Sequence, residues 1–419
     1  MTRFPRCIRP ALLLSLVLAL TSGLWGADRK FATSASLATE ARTLIKILEE
    51  AHYNRDAVRS ADYSQTIPDY MGELDRQRMF FLASDKAAFS GKYGKSVYYN
   101  TAFLGNIDAA YEIFETYSTR TESRINWIFE ELKKEIDLGV SDSFRADRSK
   151  AEWPENQAAA DDLWRKRLKY ELLQEILNKK TVAEAKDTVR KRYERWKKTN
   201  AEIEGNDLAE LYLGTIARLY DPHSTYLSSD TYEDFGIQMK LRLEGIGALL
   251  GLDEDTCVVK EIVPGGPADL GRLLKPGDKI ISVGQTGREP VEILGMKLRK
   301  IVEMIRGEKG TDVHLMVQPA DATDPSARKE IVITRDVVKL NSARAHAAIF
   351  QVPGADGKEH PLGVITLPAF YSEGGDAEDK VAEKTSASKD VARLIEQLKK
   401  AGVQGVVLDL RHNGGGFLT

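Results

Sequence analysis

The sequence predicts a multidomain α+β chain, with an α-helical N-terminal domain, a compact β-rich module and the start of an α/β domain. Three observations carry this. Apolar residues recur at spacings of three and four from about residue 33 to 220, short β-rich runs fill residues 238 to about 340, and a strand, a helix and a strand follow from about 341. At 419 residues the chain is too long for one typical core.

The helical pattern is set by Leu37, Ala41, Leu44, Ile45 and Leu48, and returns in Ile125, Ile128, Phe129 and Leu132. It recurs in Leu168, Leu172, Leu173 and Ile176, then in Leu208, Leu211, Tyr212, Ile216 and Leu219. The basic run from Lys179 to Lys198 carries interleaved aromatics, but Glu184, Asp187 and Glu194 interrupt it, so a solvated helix face accounts for it without nucleic acid.

DPHSTYLS, Asp221 to Ser228, reads as a domain boundary: a Pro among polar turn formers. It contains Asp, His and Ser, the residue types of a hydrolase triad. Residues this close on one turn cannot readily reach nucleophile, base and orienter geometry, so a turn with local side-chain caps is the better reading.

In the β-rich module the expected strands are MKLRL, IGALLGL, CVVKEIV, KIISVGQ, VHLMVQP and EIVITRDVV. Two helices interrupt them, GPADLGRLL and ILGMKLRKIVEMIRG, the second with Leu294, Leu298, Ile301, Val302 and Ile305 on one face. In the last region GVITLPAF is a strand, a polar loop follows, SKDVARLIEQLKKAG is a helix ending at Gly402, and GVVLDLR is a second, buried strand. That βαβ unit belongs to a parallel sheet. Nothing upstream is left to supply its remaining strands, which are therefore expected beyond Thr419.

Apolar residues at 42%, charged residues at 29% and a net charge of −3 are ordinary for a globular protein and favour neither nucleic acid nor an anionic membrane surface. The N-terminus differs. Arg3, Arg6 and Arg9 precede the apolar run Ala11 to Leu20, and small residues follow, the pattern of a secretory signal peptide cleaved after Gly23 or Ala27. Cys7 lies upstream of the apolar run, unlike a lipoprotein attachment site. After cleavage only Cys257 remains, so no intramolecular disulfide is expected, and the six histidines show no zinc-ligand spacing. No metal and no cofactor is expected.

LEGIGALL, Leu243 to Leu250, places Gly245 and Gly247 just before a strand. Such a loop can aim successive N–H groups at a carboxylate, and the following strand edge can pair with a peptide backbone. A plain hairpin with two glycines explains this segment alone equally well. The stretch from Ile262 to Gly287, IVPGGPADLGRLLKPGDKIISVGQTG, closely resembles a PDZ domain of the permuted bacterial-protease form. With the helical region, DPHSTYLS, LEGIG and the closing VVLDLRHNGGG in that order, the chain resembles a tail-specific, or C-terminal processing, protease of the S41 serine peptidase family. FLGNIDAAYEIFETY and NQAAADDLWRKRLKYELL are similar to its larger periplasmic subgroup.

The resemblance implies a signal peptide at 1–27, a helical domain at 28–230, a PDZ domain at 238–335 and the beginning of a ClpP/crotonase-like S41 domain at 341–419. It implies an exported, periplasmic endopeptidase that captures apolar substrate C-termini through Leu243, Gly245, Ile246 and Gly247. Its nucleophilic Ser and basic Lys would lie beyond residue 419, leaving this chain inactive alone. Gly416, with Gly415 next, would offer an oxyanion donor, because a turn without side chains lets a backbone N–H approach the developing charge. Ser386 and Ser388 read as loop and helix-cap residues, not as the nucleophile, and His412 as a loop residue, not a base. Protein or peptide substrates and an adaptor are the implied partners, with peripheral membrane association admitted and nucleic acid excluded. The competing reading is a non-catalytic secreted PDZ peptide-binding protein. Nucleotide binding at the terminal glycine turn is weak, since it lacks both GxGxxG and GxxxxGK[ST].

Overall fold

The computed structural model describes residues 31–417 except 56, 325, 356 and 375–384. The signal-peptide reading, Cys7 and part of the polar loop after GVITLPAF lie outside the described residues. The protein divides into two compact units, up to Ser228 and from Ser229 onward.

The first unit is helical: α1 (Ala35–Glu50), α2 (Thr66–Leu74), α3 (Ala83–Tyr93), the short α4 (Val97–Tyr99), α5 (Asp108–Lys133), α6 (Gln157–Leu177), α7 (Val182–Ala201) and α8 (Gly205–Tyr220). Their starts are chemically marked. Ser34 Oγ accepts the Leu37 N–H, Asn156 Oδ1 accepts that of Ala159, and Thr181 and Glu184 close a reciprocal capping box. The apolar stripes turn inward as the spacing requires, burying Leu37, Ala41, Ile45, Ile125, Ile128, Leu168, Leu172, Leu208 and Ile216. Their core is rich in aromatics whose polar ends are satisfied: Trp164 donates to the Met79 carbonyl at 2.9 Å, Tyr70 to that of Ala110 at 3.1 Å, and the Tyr63 and Tyr220 hydroxyls bond at 2.9 Å. The basic run is α7, where Arg190 and Lys191 pair with Asp187 and Arg190 also with Glu194, while Tyr193 is buried.

The second unit opens on α9 (Ser229–Lys240), followed by β1 (Arg242–Gly245), β2 (Ala248–Asp253), β3 (Thr256–Ile262), α10 (Pro267–Leu270), β4 (Lys279–Gln285), β5 (Val291–Glu292), α11 (Leu298–Ile305), β6 (Asp312–Gln318), β7 (Lys329–Thr334) and β8 (Asp336–Lys339). One sheet runs β2-β3-β4-β6-β7 with β5 beside β4, and β1 pairs separately and antiparallel with β8. Ile246, Val259, Ile280, Val283, Ile301, Leu315 and Ile333 build its core.

Several boundaries correct the sequence reading. Met239 and Lys240 end α9, because Leu241 takes a left-handed φ of 51°, so only the last three residues of MKLRL continue toward a strand. GPADLGRLL is helical over Pro267–Leu270 alone. Leu294 is off α11 and 60% exposed: Gly295, at φ 75°, turns the chain away and donates to the Asp255 carbonyl at 2.9 Å. EIVITRDVV breaks at Arg335, whose buried guanidinium donates to the carbonyls of Ile305, Met304 and Asp312 and to Thr311 and Gln285.

The chain then forms β9 (His346–Pro353), β10 (Glu359–Thr366), α12 (Ala387–Lys400) and β11 (Gly405–Asp409). β10 and β11 are parallel, as the βαβ reading requires. The expectation that no upstream strand remained is overturned, since β9 pairs antiparallel with β10 along its length. β11 is also not buried: Val406, Val407 and Leu408 are 46%, 50% and 48% exposed, because among the described residues the strand pairs on one side only and α12 packs over β9 and β10. Leu398 of α12 occupies the space over Gly363, where a Cβ would meet its Cδ1 at 2.7 Å.

Candidate functional site

Two backbone turns in the second unit carry the predicted site residues. At the first, Leu243 and Gly245 lie in β1, opposite Val338 and Asp336 of β8, and Ile246 and Gly247 connect it to β2. The carbonyls of this connection point inward: Ile246 O accepts the Ala268 N–H and Gly247 O that of Val263, both at 2.9 Å. Among the described residues no acceptor meets the Ile246 or Gly247 N–H. Two adjacent donors are thus free beside β2, whose outer edge pairs with no strand among the described residues.

Only one of the two glycines needs to be glycine for backbone reasons. Gly247 has φ 76°, and a Cβ there would lie 3.0 Å from the Gly266 Cα. Gly245 has no left-handed φ and a Cβ on it would meet side chains, Leu243 Cδ1 at 3.2 Å and Arg306 Cγ at 3.8 Å. Ile246 is buried in the module's core, so it anchors the loop from beneath.

Arg306 was not singled out by sequence reasoning, although it directly follows α11 as its C-cap. Its stem lies against Gly245, and its guanidinium pairs with Asp234 of α9 at 3.0 Å. A second ion pair, Arg299 with Asp230 at 3.4 Å, also joins α11 to α9.

At the second turn, Gly414 to Gly416 follow β11. Phe370 N donates to Gly415 O at 2.8 Å and Phe417 N to Phe370 O at 2.9 Å, so the turn is pinned backbone to backbone. A Cβ on Gly416, at φ 145°, would collide with the Phe370 carbonyl. The Gly415 N–H donates to Asn413 Oδ1 at 2.8 Å, whereas no acceptor among the described residues meets the Gly416 N–H. Gly415, at φ 98°, therefore shapes the turn, and Gly416 keeps its donor open. Asn413, also unremarked in the sequence, donates through Nδ2 to the Leu367 carbonyl at 2.9 Å and locks the turn to the end of β10.

Neighbouring titratable groups support the turns structurally. Asp409 is chelated by the Arg411 side chain and backbone, which draw its carboxyl down to about 2. His412 is exposed with φ 65°. Ser386 Oγ caps α12 by accepting the Lys389 N–H, and Ser388 Oγ lies 3.1 Å from it. Burial pushes the Cys257 thiol up to about 11, leaving it protonated and unreactive at neutral pH. Among the described residues no His, Cys, Asp and Glu cluster could hold a metal, and no helix is long and apolar enough to cross a membrane.

DPHSTYLS in the first unit does not assemble a triad. His223 Nδ1 bonds Asp221 at 2.9 Å, while Ser224 bonds a different imidazole, that of His52, at 3.0 Å. His52 Nδ1 accepts the Asn54 N–H, so its proton sits on Nε2 and is donated to Ser224; in that tautomer it cannot take the serine proton.

Comparison with known proteins agrees with this architecture. Residues 44–230 match the tail specific protease N-terminal domain, 233–318 the PDZ domain and 361–419 peptidase family S41. A tail-specific protease of Haemophilus influenzae is 33% identical over 373 residues, 89% of this chain and 50% of the relative. The chain is a tail-specific protease homologue of the S41 family. The carboxy-terminal processing protease CtpB of Bacillus subtilis is 28% identical over 238 residues, 56% of this chain and 43% of the relative. This homologue thus spans half or less of the length of these relatives. Among solved structures, the PDZ domain of a carboxy-terminal protease from Vibrio cholerae in complex with peptide is 41% identical, covering 24% of this chain and 100% of that one with a TM-score of 0.23.

Proposed function

We propose that this homologue is the substrate-capturing part of an exported serine endopeptidase, active in the periplasm and selective for polypeptides with apolar C-termini. The observation that carries the reading is the pair of unmet N–H groups at Ile246 and Gly247 beside the free edge of β2. A substrate's terminal carboxylate accepts from those donors, and its backbone extends along β2. Leu243 and Gly245 hold the loop from β1 and Ile246 anchors it in the core.

In the same reading the Gly416 N–H supplies one donor to the oxyanion formed when a peptide carbonyl is attacked, with Gly415 shaping the turn. In this reading the nucleophilic Ser and its Lys base would lie beyond residue 419. The Lys would be held neutral by burial so that it can accept the serine proton. Further strands of the S41 domain would cover the exposed apolar surface of β11. Export rests on the basic and apolar N-terminal run of the sequence.

Calorimetric titration of the chain with a short peptide ending in apolar residues tests the capture step. Binding with a free carboxylate, and its loss when the C-terminus is amidated, is the expected result. Equal binding of both forms would exclude capture at this loop. For the catalytic step, a chain extended past Thr419 should cleave an unfolded protein with an apolar tail; no cleavage would leave only the binding function.

A further inference from the structure

The helical unit contains a cavity of about 560 Å³ between α5 and the start of α6, within the size range of ligand sites. One wall is a single stripe of α5, on which Glu115, Thr116, Thr119, Arg120 and Ser123 succeed one another, ending at Trp127. The opposite wall is Gln157, Ala160 and Asp161 of α6.

The floor is charged. The Arg124 side chain is 9% exposed, bonds Asp161 Oδ1 at 2.6 Å and lies over the Trp127 ring at 4.9 Å. Arg120 bonds Asp85 Oδ1 at 2.7 Å through Nη2, but its Nε is buried with no acceptor among the described residues. Because that Nε has no exposed surface, an entering ligand meets Arg120 through the accessible part of its side chain, which is 28% exposed. Glu115 and the hydroxyls of Thr116, Thr119 and Ser123 are likewise without hydrogen-bond or ion-pair partners among the described residues.

These groups specify a ligand. The Arg120 side chain and three hydroxyls, spaced by roughly one helical turn, suit a row of carbonyl oxygens, and the exposed Glu115 carboxylate suits a cation. Both arginines are already neutralised by Asp85 and Asp161, which disfavours a free anion. From Glu112 to Trp127 the stripe is about 22 Å long, room for about six or seven residues of extended chain.

We propose that this cavity binds an extended polypeptide segment carrying a lysine or arginine, its carbonyls meeting Arg120, Thr116, Thr119 and Ser123 and its cation meeting Glu115. Binding here requires no C-terminus, so it is separate from capture at Gly247 and stands whether or not that reading holds.

Fluorescence anisotropy on the whole chain, with a labelled unstructured peptide that is C-terminally amidated and contains lysine, tests it. The amidated end removes the tail-capture loop from the measurement. The wild type should bind, and replacing the lysines by glutamine should weaken binding at least about fivefold. Glu115→Gln should weaken the lysine peptide to the same degree, and Ser123→Trp, which fills the cavity from an exposed position, should abolish binding. Both variants should keep the wild-type melting temperature. No binding of the amidated peptide to the wild type, or unchanged affinity in both variants, would overturn the proposal.

Discussion

Gly416 and Phe370 lie backbone against backbone: Phe370 donates to the residue before Gly416, accepts from the residue after it, and leaves no room for a Cβ between. This contact, rather than glycine content, holds the terminal turn in shape. Gly416→Ala should therefore displace the turn and destabilise the second unit by about 1–3 kcal/mol in denaturant unfolding. Gly414 has nothing within 4 Å of an added Cβ, so Gly414→Ala should stay within about 0.5 kcal/mol of wild type.

At the tail-capture loop the two glycines should separate cleanly. Gly247→Ala meets both a left-handed φ and the Gly266 backbone, and should lower affinity for a tail peptide by more than about tenfold. Gly245→Ala meets only movable side chains and should change affinity by less than about threefold. Calorimetry on both variants decides the matter; similar losses would mean that the loop is held by something other than Gly247.

Arg335 gathers the end of α11, β4 and β6 through five hydrogen bonds to neutral groups. Arg335→Met would leave buried carbonyls without donors. A loss of about 2–4 kcal/mol is expected by urea unfolding.

Asp390, at the start of α12, accepts from Arg344 Nε and Nη2 at 2.8 and 2.5 Å, from Tyr371 at 2.6 Å and from Arg393 at 3.1 Å. Burial pushes its carboxyl up, but these donors outweigh burial and draw it from 3.8 to about 2. The folded value lies below the unfolded one, so its contribution is fully present above about pH 4 and is lost as pH falls through about 2. Asp390→Asn should cost about 2–4 kcal/mol at neutral pH and flatten the acid limb of the stability curve between those pH values, which unfolding measured across the range will show.

Ser224→Ala removes only a hydroxyl that accepts from His52. Any peptidase activity of an extended chain should survive that change unaltered in kcat. A loss of activity with the fold intact would restore DPHSTYLS as a catalytic element.

How much of this could be read from sequence depended on whether local periodicity and burial agreed. The stripe through Leu37, Ala41 and Ile45 predicts a helix face and is one, because long amphipathic helices bury what their spacing says. Leu294 shares that spacing with Leu298 but not the helix, since Gly295 ends the pattern with a conformation the periodicity does not encode. At the candidate site, LEGIG and GGG were visible as glycine runs. Asn413, Arg306 and Phe370 were not, because their roles come from partners 46, 61 and 46 positions away in the chain.

By itself the sequence determined the order of domains, the helical faces, the βαβ unit and the place of both glycine turns, all of which rest on local spacing and backbone permissiveness. Tertiary structure alone decided which N–H groups remain free. Gly415 and Gly416 are equivalent as letters, yet the Asn413 side chain takes one donor and leaves the other open. Likewise β11 reads as a buried strand, and its exposure follows from having a neighbour on one side only. Hydrogen bonding and burial are pairwise properties of the folded chain, and no single stretch contains both members of the pair.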